Sequence, residues 1–182
     1  RMRRAPGSTL AFDSSTSTAY LMASDEKGIT VNSYKIGEDT IKPSKTFQLT
    51  VPARRAVASG GRLLLAGLNE MNLYKVDEEP SLSLIGTRKI PNLAIRDFVL
   101  QGDMIFASCV DDMLRGYLAI MSAAKDDLGV QGACELPLDA ASLAISGKMA
   151  VVIGRGKSGK DMAALVNISS VAQPKVSETF DI

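Results

Sequence analysis

At 182 residues, with 46% apolar and 23% charged residues, the chain is long enough to bury a core and lies far from the composition of disordered or collagen-like sequences. A formal net charge of +1 gives no global field toward nucleic acid or an anionic membrane, and no apolar run approaches the ~18 residues of a membrane span. There is no histidine, which removes the serine and cysteine triads, the usual general base and the commonest metal ligand, and only Cys109 and Cys134 are present, too few for a disulfide scaffold or a four-cysteine zinc site. The balance leans away from an enzyme, and no cofactor, metal or nucleic-acid partner is expected. The chain opens on Arg1-Met2-Arg3-Arg4, not on an initiator methionine, so both a processed product and a piece of a longer protein are open readings.

In chain order, four segments share one plan of apolar run, polar loop and second apolar run. They are TAYLMASDEKGITVNSYKI, GRLLLAGLNEMNLYKVD, GDMIFASCVDDMLRGYLAIMS and GKMAVVIGRGKSGKDMAALVNIS. Ser17, Gly61, Gly102 and Gly147 mark their starts at intervals of about 41 to 45 residues, the length of a four-stranded propeller blade. Four blades are expected, at about 8–50, 51–91, 92–137 and 138–182, in a single domain over 1–182.

Within each blade, four strands are predicted. The first covers 10–12, 56–58, 97–100 and 142–145. The second is a short apolar run such as 63–66, 104–107 or 149–153, as expected of a strand buried on both faces. The third alternates, as at 29–31, 73–75 and 165–168, and the outermost covers 46–49, 82–90, 130–136 and 176–180. The fold class is thus an all-β propeller of four four-stranded antiparallel blades, either complete or part of a larger ring.

The stretch GRGKSGKD matches three positions of the phosphate-loop pattern G-x-x-x-x-G-K-[ST] at Gly154, Gly159 and Lys160, but Asp161 stands where a hydroxyl should hold magnesium. In the repeat frame it joins two antiparallel strands, whereas a nucleotide loop must open a helix whose amides complete the anion site. A glycine-rich hairpin loop is the expected structure, with Arg155, Lys157 and Lys160 forming a local basic spot.

The segment LVNISSVAQPKVSETFDI resembles the end of a repeat from the LVIVD group of bacterial β-propellers, which pairs a V-x-D-V-S strand with a P-x-x-P-x-x-V turn and an outer strand. Asn167, Ser169, Pro174, Val176 and Phe180 take those positions; the turn's first proline is missing and Asn167 replaces the aspartate. The resemblance implies a bacterial protein of the cell envelope or exterior.

Antiparallel blades place the second-to-third and fourth-to-first connections on one face. That face gathers the candidate binding residues Asp25, Glu26, Asp111, Asp112, Arg115, Arg155, Lys157 and Lys160, with Arg54, Arg55, Arg96 and Glu70 nearby. A calcium site at the acids would need six to eight oxygens. Glycosidase chemistry would need an aromatic-lined cleft, which a chain without tryptophan does not suggest. Cys109 and Cys134 fall on strands separated by a third, which disfavours a bridge; Met113 is expected to be exposed. The function expected is a non-catalytic interaction scaffold with a protein partner. The alternative is part of a larger propeller, completed by another chain or further blades, with an enzyme or small-ligand site at its channel.

Overall fold

The computed structural model describes residues 8–25, 28–76, 81–124 and 128–182; of Asp25 only the backbone is described. The described residues form four antiparallel four-stranded sheets, as the repeat predicts. The chain parts into two compact units, 1–87 and 88–182.

The first unit holds two sheets. One is β1 (Ser8–Asp13), β2 (Thr18–Asp25), β3 (Gly28–Ile36) and β4 (Ile41–Leu49) in that spatial order. The other is β5 (Arg55–Ser59), β6 (Arg62–Ala66), β7 (Glu70–Val76) and β8 (Leu82–Lys89). Period-two alternation puts Ala11, Tyr20, Met22, Ile29 and Val31 on one face of the first sheet. There they pack against Ala58, Leu63, Leu65 and Tyr74 of the second. The apolar run Leu63-Leu64-Leu65-Ala66 is buried throughout, as a strand covered on both faces should be. The other face of the first sheet leaves Leu10 65%, Phe12 52% and Leu21 38% exposed, with Leu10 opposite Leu21 in the ladder.

The second unit repeats the arrangement. Its sheets are β9 (Leu93–Gln101), β10 (Met104–Asp111), β11 (Gly116–Ser122) and β12 (Val130–Leu136), then β13 (Leu138–Ser146), β14 (Met149–Gly156), β15 (Asp161–Asn167) and β16 (Lys175–Asp181). Phe106, Leu118, Ile120 and Leu136 of the one meet Leu143, Val152, Ala164 and Val166 of the other in a common core. Two glycines let the sheets approach. A Cβ built on Gly116 would overlap the Leu138 carbonyl, and one on Gly132 would overlap that of Val171.

The residues that mark the repeat mark its tightest turns. Ser17, Gly60, Gly61, Gly102 and Gly147 all take left-handed φ, between 48° and 71°, where the first strand of each sheet turns into the second. By strand register the counterpart of Gly102 and Gly147 is Gly60, one residue before the Gly61 that the sequence spacing selects. In every sheet the carbonyl just before the second strand accepts an amide from the end of the third strand or just past it: Ile36 to Ser17, Val76 to Gly61, Ala123 to Asp103 and Ile168 to Lys148.

Three strands begin at least four residues earlier than the sequence predicts. β4 starts at Ile41 instead of 46, β9 at Leu93 instead of 97 and β13 at Leu138 instead of 142. Each carries a bulge, skipping Ser44, Arg96 and Ala141 in the pairing, and the extra residue breaks the alternation that would have announced the strand's first half. Arg96, expected on a connection, therefore sits within β9, while Arg55 and Glu70 are the first residues of β5 and β7.

Candidate functional site

At one end of the sheets in the second unit, three chain segments come together. They are the β10–β11 turn, the link from β12 to β13 at Pro137, and the β14–β15 turn. Between them lies an open groove of about 640 Å³. Its rim carries Met113, Leu114, Arg115, Arg155, Lys157 and Ser158, and its wall and floor are made by Glu135, Pro137, Asp139, Leu136, Leu138 and Met162.

The β10–β11 turn is built around Asp111, which ends β10 and is buried. One carboxylate oxygen accepts the backbone amides of Met113 at 3.0 Å and Arg115 at 2.8 Å. The other accepts the Arg115 guanidinium at 2.7 Å and the Tyr117 hydroxyl at 3.4 Å. Burial pushes this carboxyl up, but the Arg115 amide and guanidinium and the Met113 amide more than offset it and hold Asp111 below the usual carboxylate range. Every lone pair that could have met a ligand is thus turned inward to the loop. The consequence is a fixed turn that displays Met113 at 72% and Leu114 at 60% exposure. Leu114 holds φ at 62°, a region a bulky residue rarely occupies.

The β14–β15 turn is the former phosphate-loop candidate. It is a hairpin, closed by the Gly156 amide donating to the Lys160 carbonyl at 2.8 Å and the Gly159 amide to the Gly156 carbonyl at 2.9 Å. A strand follows it, with no helix N-terminus to receive phosphate. Lys160 turns to Asp181 of β16 at 3.4 Å, and Arg155 lies 4.0 Å from Asp161, both pairs well exposed. Lys157 has neither hydrogen bond nor ion pair among the described residues.

Of the sequence candidates, the fold brings Arg115, Arg155 and Lys157 to one groove, with Asp111 beneath its rim. Asp112 and Lys160 are exposed but do not line it. Asp25 ends β2 in the first unit, and Glu26 lies outside the described residues. Among the described residues no group of three or more carboxylate, thiol or imidazole side chains is placed to hold a metal ion. Sequence reasoning missed Glu135, Pro137 and Asp139. The signal was available in part: Pro137 is the fourth-to-first connection of the repeat, the position that singled out Arg54 and Arg96 in the earlier blades, and Glu135 near the end of β12 and Asp139 near the start of β13 flank it.

Elsewhere in the unit, Cys109 on β10 and Cys134 on β12 are free, and β11 runs between them. Burial pushes the Cys109 thiol up to about 12. No helix is long and apolar enough to cross a membrane.

No protein-family model and no curated protein matches the sequence. Solved structures do match it. A functionally unknown protein from Desulfotomaculum acetoxidans aligns with a TM-score of 0.76 at 12% identity, over 100% of this chain and 58% of that one. The WD40 repeats of RRP9 align at 0.69 and 14% identity, over 100% and 55%. A protein from Lactobacillus plantarum aligns at 0.68 and 16% identity, over 95% and 55%. The chain spans a little over half the length of each. Likeness at this level of identity concerns the fold alone, and with four consecutive four-stranded antiparallel sheets it gives the chain a β-propeller-type fold.

Proposed function

We propose that the chain is a non-catalytic protein-interaction module whose contact surface is the grooved loop edge of its second unit. One observation carries this reading: Asp111 spends its whole hydrogen-bonding capacity on fixing a turn that holds two large apolar side chains in water, beside cations with little to pair with. A rigid apolar display loses little entropy on binding, and apolar anchors ringed by polar groups are the usual centre of a protein interface. The likeness to WD40 repeats and the LVIVD-like segment at 167–180 agree with an interaction role, the latter in a bacterial envelope or extracellular setting.

The test is a photo-crosslinking comparison in native cells, with the reactive residue placed at Ser158 on the groove edge or at Lys148 on the opposite edge. Crosslinked protein concentrated at 158 and lost when Met113 and Leu114 are replaced is the expected result. Equal yields at the two edges would contradict the reading.

A second reading has its own observation. The exposed Leu10, Phe12 and Leu21 make an uncovered apolar face on the first sheet, and the chain spans 55–58% of the matched structures. In that reading further blades or another chain cover the face, and a ligand site lies at the shared channel. Light scattering at the 19.3 kDa monomer mass would contradict assembly with another copy.

A further inference from the structure

Resting on that interaction reading, we infer that the groove of the second unit takes an extended peptide segment in which an acidic residue neighbours an apolar one. Charge and exposure on the two sides of the groove decide the chemistry. On the β10–β12 side, Arg115 is already neutralised by Asp111 at 2.7 Å, and Glu135 adds negative charge. On the β14 side, Arg155 and Lys157 flank Gly156. Arg155 has only an exposed contact of 4.0 Å to Asp161, a geometry that water screens strongly, and Lys157 has no partner among the described residues. Asp139 offsets part of this charge from the wall, so the groove attracts a carboxylate locally, at its β14 rim.

The apolar part sets the strength. Covering the exposed Met113 and Leu114 side chains contributes more than an exposed ion pair returns. An apolar side chain seated against Met113, Leu114 and Met162 therefore supplies most of the affinity, and the adjacent carboxylate on Arg155 and Lys157 fixes orientation and registers as salt dependence. Acidic residues alone lack the anchor. A basic neighbour would place like charges together at the β14 rim.

The experiment measures fluorescence polarisation of the full chain with labelled ten-residue peptide pools. One pool is built from Asp, Glu, Leu and Phe, one from Lys, Arg, Leu and Phe, and one from Asp, Glu, Gly and Ser; a ten-nucleotide single-stranded DNA is included. Saturable binding of the acidic-apolar pool is expected. It should weaken at least tenfold in R155E/K157E and in M113S/L114G, weaken with added salt, and stay unchanged in K148E. Circular dichroism on each variant separates lost binding from lost fold. Equal binding of the basic-apolar pool or of DNA, indifference to the R155E/K157E reversal, or no binding of any peptide overturns the inference. The crosslinking comparison needs no peptide, so the interaction reading and this one fail separately.

Discussion

The two units solve the same problem in different places. In each, an aspartate of the first strand of one sheet reaches the next sheet and satisfies a backbone amide there. In the first unit Asp13, at the end of β1, accepts the Gly61 amide at 2.7 Å in the β5–β6 turn. In the second, Asp97 lies mid-strand beside the bulge in β9 and accepts the Leu143 amide and Ser142 hydroxyl, each at 3.0 Å, beside the bulge in β13. The opposite edge differs more. The β6–β7 connection has three residues, is closed by the Gly67 amide donating to the Glu70 carbonyl at 2.8 Å and exposes Leu68, whereas the β10–β11 and β14–β15 turns have four residues each and, with the Pro137 link, line a groove. Sheet-to-sheet ties are thus common to both units, and the groove comes from the longer turns of one.

The largest effect expected from breaking this comparison is at the close approach of β11 to β13. Gly116→Ala would push a Cβ into the Leu138 carbonyl and should destabilise the second unit by about 3 kcal/mol, read by thermal unfolding. Gly102→Ala, where an added Cβ would meet no atom within 4 Å, should lose only the ~1–2 kcal/mol of left-handed backbone strain. Equal losses would mean that the sheets are not held at backbone contact.

Removing the tie of the first unit should come next. Asp13→Ala forfeits hydrogen bonds to Gly61 and Ser15, about 2 kcal/mol. Burial pushes the Asp13 carboxyl up, but the Ser15 hydroxyl and the Gly61, Ser15 and Gly60 amides more than offset it, so its value in the folded state lies below the ordinary one. Its stabilisation is therefore complete above about pH 4, the unfolded value, and is lost as the pH falls through the lower folded value. Urea midpoints measured between pH 5 and pH 2 should fall more steeply for the wild type than for Asp13→Asn. Parallel curves would remove Asp13 from the account.

A smaller change of opposite sign separates display from stability. Ser17→Gly and Leu114→Gly both relieve left-handed φ and should each raise stability by roughly 0.5–1 kcal/mol. Only Leu114→Gly should weaken groove binding. If it stabilises without affecting binding, the β10–β11 turn is not a display. The smallest effect is chemical: a thiol reagent should modify half-buried Cys134 before Cys109, whose thiol burial has pushed up to about 12.

The sheets were legible because strand alternation, short buried runs and left-handed turn residues all recur with one period. Where they failed to coincide, at the bulges skipping Ser44, Arg96 and Ala141, the sequence hid half a strand, since an extra residue reverses which face each side chain takes. The site was legible only in part. Arg115, Arg155 and Lys157 were visible as loop cations, but Asp111 looks in sequence like a surface acid when its carboxylate is consumed by the turn. Which loops converge depends on how β11 and β13 approach, and that rests on glycines whose reason is a neighbouring carbonyl. No local pattern encodes it.

The most direct test of the groove is amide NMR of the labelled full chain during titration with the acidic-apolar peptide pool. The account predicts shifts concentrated at 113–115, 135–139 and 155–158. Shifts centred on the 102–103 and 147–148 turns, or on the Leu10, Phe12 and Leu21 face of the first sheet, would contradict it.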